Sequence, residues 1–140
     1  MSKIAVVFWS GTGNTEALAE AVLAGAKDKG ANAAIFTATE FMAENPSDYT
    51  GIAFGCPAMG AEQLEETEFQ PMWDEVKDKL QEKKIALFGS YAWANGEWME
   101  AWKEDAQAAG ITLAVDPVIC NSAPDEAALE QCKSLGEALI

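Results

Sequence analysis

Residues 4–15 read IAVVFWSGTGNT, from Ile4 to Thr15. Ile4-Ala-Val-Val-Phe8 is a continuous apolar run of the kind that forms a strand buried on both faces. Gly11 and Gly13 break it, and a helical pattern follows from about Asn14 to Lys29. Leu18, Val22 and Ala26 give that helix one apolar face, and Gly30 is a C-terminal stop. The same cycle then recurs. Further strands are expected at Ala33 to Phe36, Gly51 to Gly55, Ile85 to Gly89 and Ile111 to Ile119, the last interrupted by Asp116-Pro117. Helices are expected over about 71–82, 97–109 and 125–139, with a short or irregular helix in 40–48. Pro71 suits a first helical turn, and Gly110 ends the next helix. Strands alternating with helices at this spacing predict one α/β domain over residues 1–140. Its doubly wound parallel sheet is covered by helices on both faces.

Composition narrows the chemistry. Of 140 residues, 49% are hydrophobic, enough for one sizeable core. The net charge of −14 argues against nucleic acid, whose phosphates are bound through basic side chains, and against an anionic membrane surface. With no histidine, Ser-His-Asp and Cys-His catalysis and His-ligated metals are excluded, and no metal site is expected. Cys56, Cys120 and Cys132 are odd in number and widely spaced, which fits a reducing cytoplasm. The apolar run from Ile4 to Trp9 is too short for a signal segment or a membrane span. A soluble cytoplasmic protein, monomeric by default, is the expectation.

In open parallel sheets a ligand lies beyond the carboxyl ends of the strands, where the winding reverses. The unusual residues fall there: SGTGNT (10–15), CPAMGAE (56–62), SYAWANGEW (90–98) and CNSAPD (120–125). In the first loop, free N–H groups and a helix dipole favour an anion, and Ser10, Thr12, Asn14 and Thr15 add neutral donors beside Gly11 and Gly13. No Lys or Arg lies between Lys3 and Lys27. The loop lacks the Lys of a triphosphate-binding loop, and Glu16 stands where a dinucleotide fingerprint has its third glycine. One terminal phosphate held by neutral donors fits best; the alternative is a hydroxyl-rich turn without a ligand.

FWSGTGNT, GCPAMGAE and ALFGSYAWANGEW, in that order and spacing, resemble the three flavin-binding segments of flavodoxins, short-chain type. The resemblance spans essentially the whole chain. It implies a five-stranded sheet in order 2-1-3-4-5 with FMN at the switch point, both being known properties of flavodoxins themselves. It further implies a low-potential one-electron carrier, not an enzyme, with no catalytic residues of its own and cycling mainly between semiquinone and hydroquinone.

By the same resemblance, Trp93 stacks on the outer face of the flavin and Met59 covers the inner face. Glu62 accepts from the flavin imide, and backbone groups of Gly60, Ala61, Tyr91 and Ala92 meet the ring edge. Ala58, Ser90 and Asn121 fall where the family touches ribityl or pyrimidine atoms. The Met59–Gly60 peptide is implied to turn its carbonyl to the flavin after one-electron reduction, a motion glycine permits. The net charge opposes the fully reduced, anionic flavin. The aromatic loop reads SYAWA where the family usually has SYGWG, and Ala61 stands where a polar residue or Gly is frequent. Both changes bear on tuning rather than on the cofactor.

The remaining tryptophans and Cys56 read as structure. Trp98 and Trp102 share a helix face, Trp73 falls in an amphipathic helix as core or rim, Trp9 packs beside the phosphate loop, and Cys56 is a small packed residue. The acidic stretch Glu62 to Glu68, in which Glu62 is alternatively one solvated acid among Glu65, Glu66 and Glu68, is expected with Asp125 and Glu126 to steer basic redox partner proteins. An FMN-dependent quinone or flavin reductase on the same scaffold is the alternative. A phosphoacceptor receiver domain is disfavoured, since strand three ends in Gly55-Cys56-Pro57 rather than Asp.

Overall fold

The computed structural model describes residues 3–11, 13–58, 64–81, 83–91 and 96–140. In chain order the elements are β1 (Lys3–Phe8), α1 (Asn14–Asp28), β2 (Asn32–Thr37), α2 (Ala38–Phe41), β3 (Gly51–Gly55) and α3 (Phe69–Val76). They continue as β4 (Lys84–Tyr91), α4 (Glu97–Ala108), β5 (Val118–Asn121) and α5 (Glu126–Ala138), with single 3-10 turns at Pro46–Asp48 and Lys77–Lys79. The five strands form one sheet in the order β2-β1-β3-β4-β5, with every neighbouring pair parallel. Val6 pairs with Ile35 on one side and Ala53 on the other, so β1 lies inside the sheet. The expected fold class is therefore observed, and the winding reverses between β1 and β3.

Alternation along the buried strands divides the core between two faces. Ala5, Val7, Ile52, Phe54, Ile85 and Leu87 face α2, α3 and α4; Ile4, Val6, Phe8, Ala53, Ala86 and Phe88 face α1 and α5. The α3–α4 side is aromatic. Trp73 meets Phe54 edge-on at 5.2 Å and Trp102 at 5.6 Å, a preferred ring geometry. Trp73, Trp98 and Trp102 are all buried, as expected from their helical spacing. The α1–α5 side works by closeness instead. A Cβ on Gly25 would strike the Lys133 carbonyl, and one on Gly136 the Val22 carbonyl.

Two elements differ from expectation. β5 begins at Val118 rather than near Ile111, and the preceding stretch makes a single bridge, Leu113 to Ile85. Pro117 has no N–H to give a ladder, so regular pairing starts after it. Helix α3 starts at Phe69 and stops at Val76, short of the expected 82, tightening into the turn at Lys77–Lys79. Its early start has a cause in the site.

Candidate functional site

The ends of β1, β3, β4 and β5 open at one edge of the sheet. From β1 the chain leaves through Trp9, whose N–H donates to the Gly55 carbonyl at 3.0 Å. The Gly13 N–H donates to Ser10 Oγ at 3.0 Å, closing the turn that starts α1. Gly13 has φ 95, the left-handed region that glycine enters at little cost, and its side is open space. Among the described residues no side chain caps α1. The first-turn N–H groups of this 15-residue helix thus have no side-chain cap among the described residues, beside Ser10, Asn14 and the buried Thr15.

Contrast the other helices. α2 has a full capping box on Thr37, and Asp125 accepts from the Ala128 N–H at 2.8 Å to cap α5. Glu65 serves α3. Its carboxylate accepts from the N–H groups of Thr67 (2.9 Å), Glu68 (2.7 Å) and Phe69 (2.9 Å), and from the Thr67 hydroxyl. Only α1 and α4, among the helices of the described residues, start on a left-handed glycine, Gly13 or Gly96. Both follow loops that the sequence assigns to ligand binding.

Several contacts tie these loops together. Thr15 Oγ1 and Ser90 Oγ lie 3.1 Å apart, joining the first turn of α1 to β4. The Ala58 N–H donates to the Ser90 carbonyl at 3.0 Å, which aligns the exit of β3 with β4. Trp98 Nε1 donates to the Cys56 carbonyl at 3.2 Å, and its ring packs against Tyr91 at 5.6 Å. A Cβ on Gly89 would collide with that same Cys56 carbonyl, so glycine permits the approach. Just after β1, Trp9 Nε1 donates to Glu68 Oε2 at 2.8 Å while its ring packs over Gly11. The Ser122 N–H donates to the Tyr91 carbonyl at 2.7 Å and the Ser122 hydroxyl to Asn121 Oδ1 at 3.0 Å, with Ser122 itself at φ 60.

Of the residues expected at the site, Ser10, Gly11, Gly13, Asn14, Thr15, Ala58, Ser90, Tyr91 and Asn121 all lie at this edge. Thr12, Met59, Gly60, Ala61, Glu62, Ala92 and Trp93 lie outside the described residues. Ser90 is almost fully buried, and its hydroxyl meets Thr15. Glu65 is 5% exposed and is no solvated acid. Burial raises the Glu65 pKa, but the Thr67 hydroxyl and the three N–H donors outweigh it and hold the carboxyl below its ordinary range. Cys56 is buried, accepts from the Glu65 N–H at 3.3 Å, and burial pushes its thiol up to about 12, which leaves it unreactive. It is the packed residue that was expected. The Glu65 cap and the Trp9–Glu68 bond were missed by sequence reasoning. Nothing in the sequence marked either, since the helix was expected to begin only at about 71.

Taken together, the described residues of the edge offer a cradle of N–H and hydroxyl donors with no Lys or Arg among Ser10–Thr15, beside the rings of Trp9 and Tyr91. Such an arrangement can hold a phosphate at one end of a larger ligand. The flavodoxin family profile matches residues 6–136. The chain is 42% identical to the flavodoxin of Megasphaera elsdenii over 135 residues, covering 96% of each chain. It is 37% identical to that of Clostridium beijerinckii over 134 residues, again covering 96% of each. Among solved structures, two-electron reduced M. elsdenii flavodoxin superposes with a TM-score of 0.84 over 97% of both chains. A flavodoxin from the Archaea, 29% identical, gives 0.82 over 98% of this chain and 95% of the other.

Proposed function

The chain belongs to the flavodoxin family, and from that premise we propose that it carries single electrons between redox proteins on a non-covalently held FMN. Flavodoxins are electron-transfer proteins rather than enzymes. Bound FMN would supply the one-electron redox chemistry; the chain's residues bind it, orient it and set its surroundings. The observation that carries the reading is the uncapped start of α1, joined through Thr15 and Ser90 to the end of β4. A helix start left open by glycine, with only neutral donors around it, is what a terminal phosphate needs.

On this reading Ser10, Gly11, Thr12, Gly13, Asn14 and Thr15 hold the phosphate. Met59 and Trp93 face the ring, while Gly60, Ala61, Glu62, Tyr91 and Ala92 meet its edge. Ala58, Ser90 and Asn121 border the connecting chain of the cofactor. The net charge of −14 opposes further negative charge at the site, so the working couple lies between the one-electron- and two-electron-reduced levels. The acids around the edge favour partners with basic docking surfaces. No described helix is long and apolar enough to cross a membrane, and all three cysteines are free thiols, in keeping with a cytoplasmic carrier.

An absorption spectrum of the purified protein tests the reading. Flavin bands, restored after stripping by one equivalent of FMN, are expected. A transient long-wavelength band should appear midway through a dithionite titration. A colourless protein that rejects FMN would overturn it.

A further inference from the structure

We propose that Ser90 is a positioning residue for the phosphate subsite: its hydroxyl donates to Thr15 Oγ1, so that the Thr15 proton is turned toward the phosphate. This rests on the FMN reading above and changes the role of Ser90 within it, from a contact to the connecting chain to a group acting through Thr15.

The geometry is specific. Ser90 is 5% exposed and Thr15 1% exposed, and their hydroxyl oxygens lie 3.1 Å apart. Each hydroxyl has one proton, so only one of the pair donates to the other. Were Thr15 the donor, its proton would point into the sheet and the cradle would lose a donor. A phosphate without a proton of its own only accepts hydrogen bonds, and no Lys or Arg lies between Lys3 and Lys27, so every donor counts. Donation from Ser90 satisfies a lone pair on Thr15 and leaves the Thr15 proton for the ligand. Ser10 is arranged alike, since its oxygen accepts from the Gly13 N–H and its proton is free to point outward.

Ser90 is a firm support for this task. It pairs with Cys120 in the sheet and its carbonyl accepts from the Ala58 N–H at 3.0 Å. A hydroxyl fixed on a strand holds a partner's rotamer better than one on a loop. A chain of two hydroxyls ending on an anion also strengthens cooperatively, each bond polarising the next.

The test measures the affinities of the stripped protein for FMN and for riboflavin, which lacks the phosphate, and follows their ratio. Ser90→Ala should lower the FMN-to-riboflavin ratio by about tenfold, the scale of a buried hydrogen bond serving a charged group. Ser90→Thr, which keeps the hydroxyl, should restore it. Adding Ser90→Ala to Thr15→Val should lower the ratio by less than about twofold further, because the pair acts as one unit. An unchanged ratio in Ser90→Ala, or additive losses in the double variant, would overturn the proposal. If the alanine variant does not fold, Ser90→Cys, a weaker donor, serves in its place with a smaller drop expected and an unchanged ratio again decisive against. A wild-type protein that binds neither flavin would instead sink the FMN reading itself, before any variant is made.

Discussion

A carboxylate that accepts from three backbone N–H groups and a hydroxyl stays ionised even when buried, and Glu65 is held in this way. Its pKa lies below the usual carboxylate range in the folded chain. Stability from this cap is therefore fully present above the ordinary Glu pKa of ~4.3, and is lost as pH falls through the lowered folded value. Glu65→Gln puts an amide donor against N–H donors, which should cost about 1–3 kcal/mol at neutral pH. Urea melts at pH 7 and near pH 3 check this: the gap between variant and wild type should shrink in acid, and a gap independent of pH would remove the charge from the explanation. Glu65 was illegible in the sequence because it sits among Glu62, Glu66 and Glu68, and a run of acids reads as a wet face. Burial of one member depends on where α3 starts, which is itself set by that member. Ser10, Asn14 and Thr15 were legible for the opposite reason. Their place in a turn between a strand and a helix is something local sequence specifies.

Helix pairs that approach backbone to backbone leave no room for a side chain, and α1 and α5 meet in that manner at Gly25 and Gly136. On an exposed helix, Gly→Ala gains roughly 1 kcal/mol from helix propensity. At Gly25 the new methyl would press on the Lys133 carbonyl, which cannot turn aside without breaking α5. Overpacking of this kind costs about 1–3 kcal/mol and the obstacle is backbone, so the steric loss wins. Gly25→Ala should lower the urea midpoint, and a variant as stable as wild type would show that the helices separate freely. The sequence announced α1 and α5 through their apolar spacing, and it announced β1, β3 and β4 through continuous apolar runs. Close contact between the helices was not visible, since a glycine inside a helix reads only as a weak point. β5 was blurred for a related reason. Ile111 to Val115 has strand-like composition, but Pro117 withholds the N–H that would carry the pairing through.

Cations, though not acids, are gathered at one end of the strand axis of the whole molecule, where Asp28, Asp78 and Asp105 accompany them. Lys3, Lys83 and Lys84 stand where β1 and β4 begin, and Lys27, Lys29, Lys77 and Lys79 lie where α1 and α3 run out toward that same amino edge. Glu16, Glu66, Glu68, Glu97, Asp125 and Glu126 lie at the carboxyl edge, exposed, around the candidate site. A net charge of −14 distributed in this way gives the molecule a direction as well as a sign. An approaching basic partner is attracted and also turned, so that it meets the edge where the cofactor would lie. The field is long-ranged only while salt is low: the Debye length falls from ~30 Å at 0.01 M to ~8 Å at 0.15 M. The bimolecular rate of electron transfer to a basic acceptor should accordingly fall by about tenfold or more across that range, within the span known for steered encounters. Direction makes a sharper prediction than sign does. Glu66→Lys and Lys27→Glu change the net charge by equal and opposite amounts, yet only the first alters the face that docks. At low salt Glu66→Lys should slow the reaction several times more than Lys27→Glu speeds it, and the two should converge at high salt. Stopped-flow rates that track net charge alone, with equal and opposite changes in the two variants, would mean that the charges act as a sum and not as an oriented field.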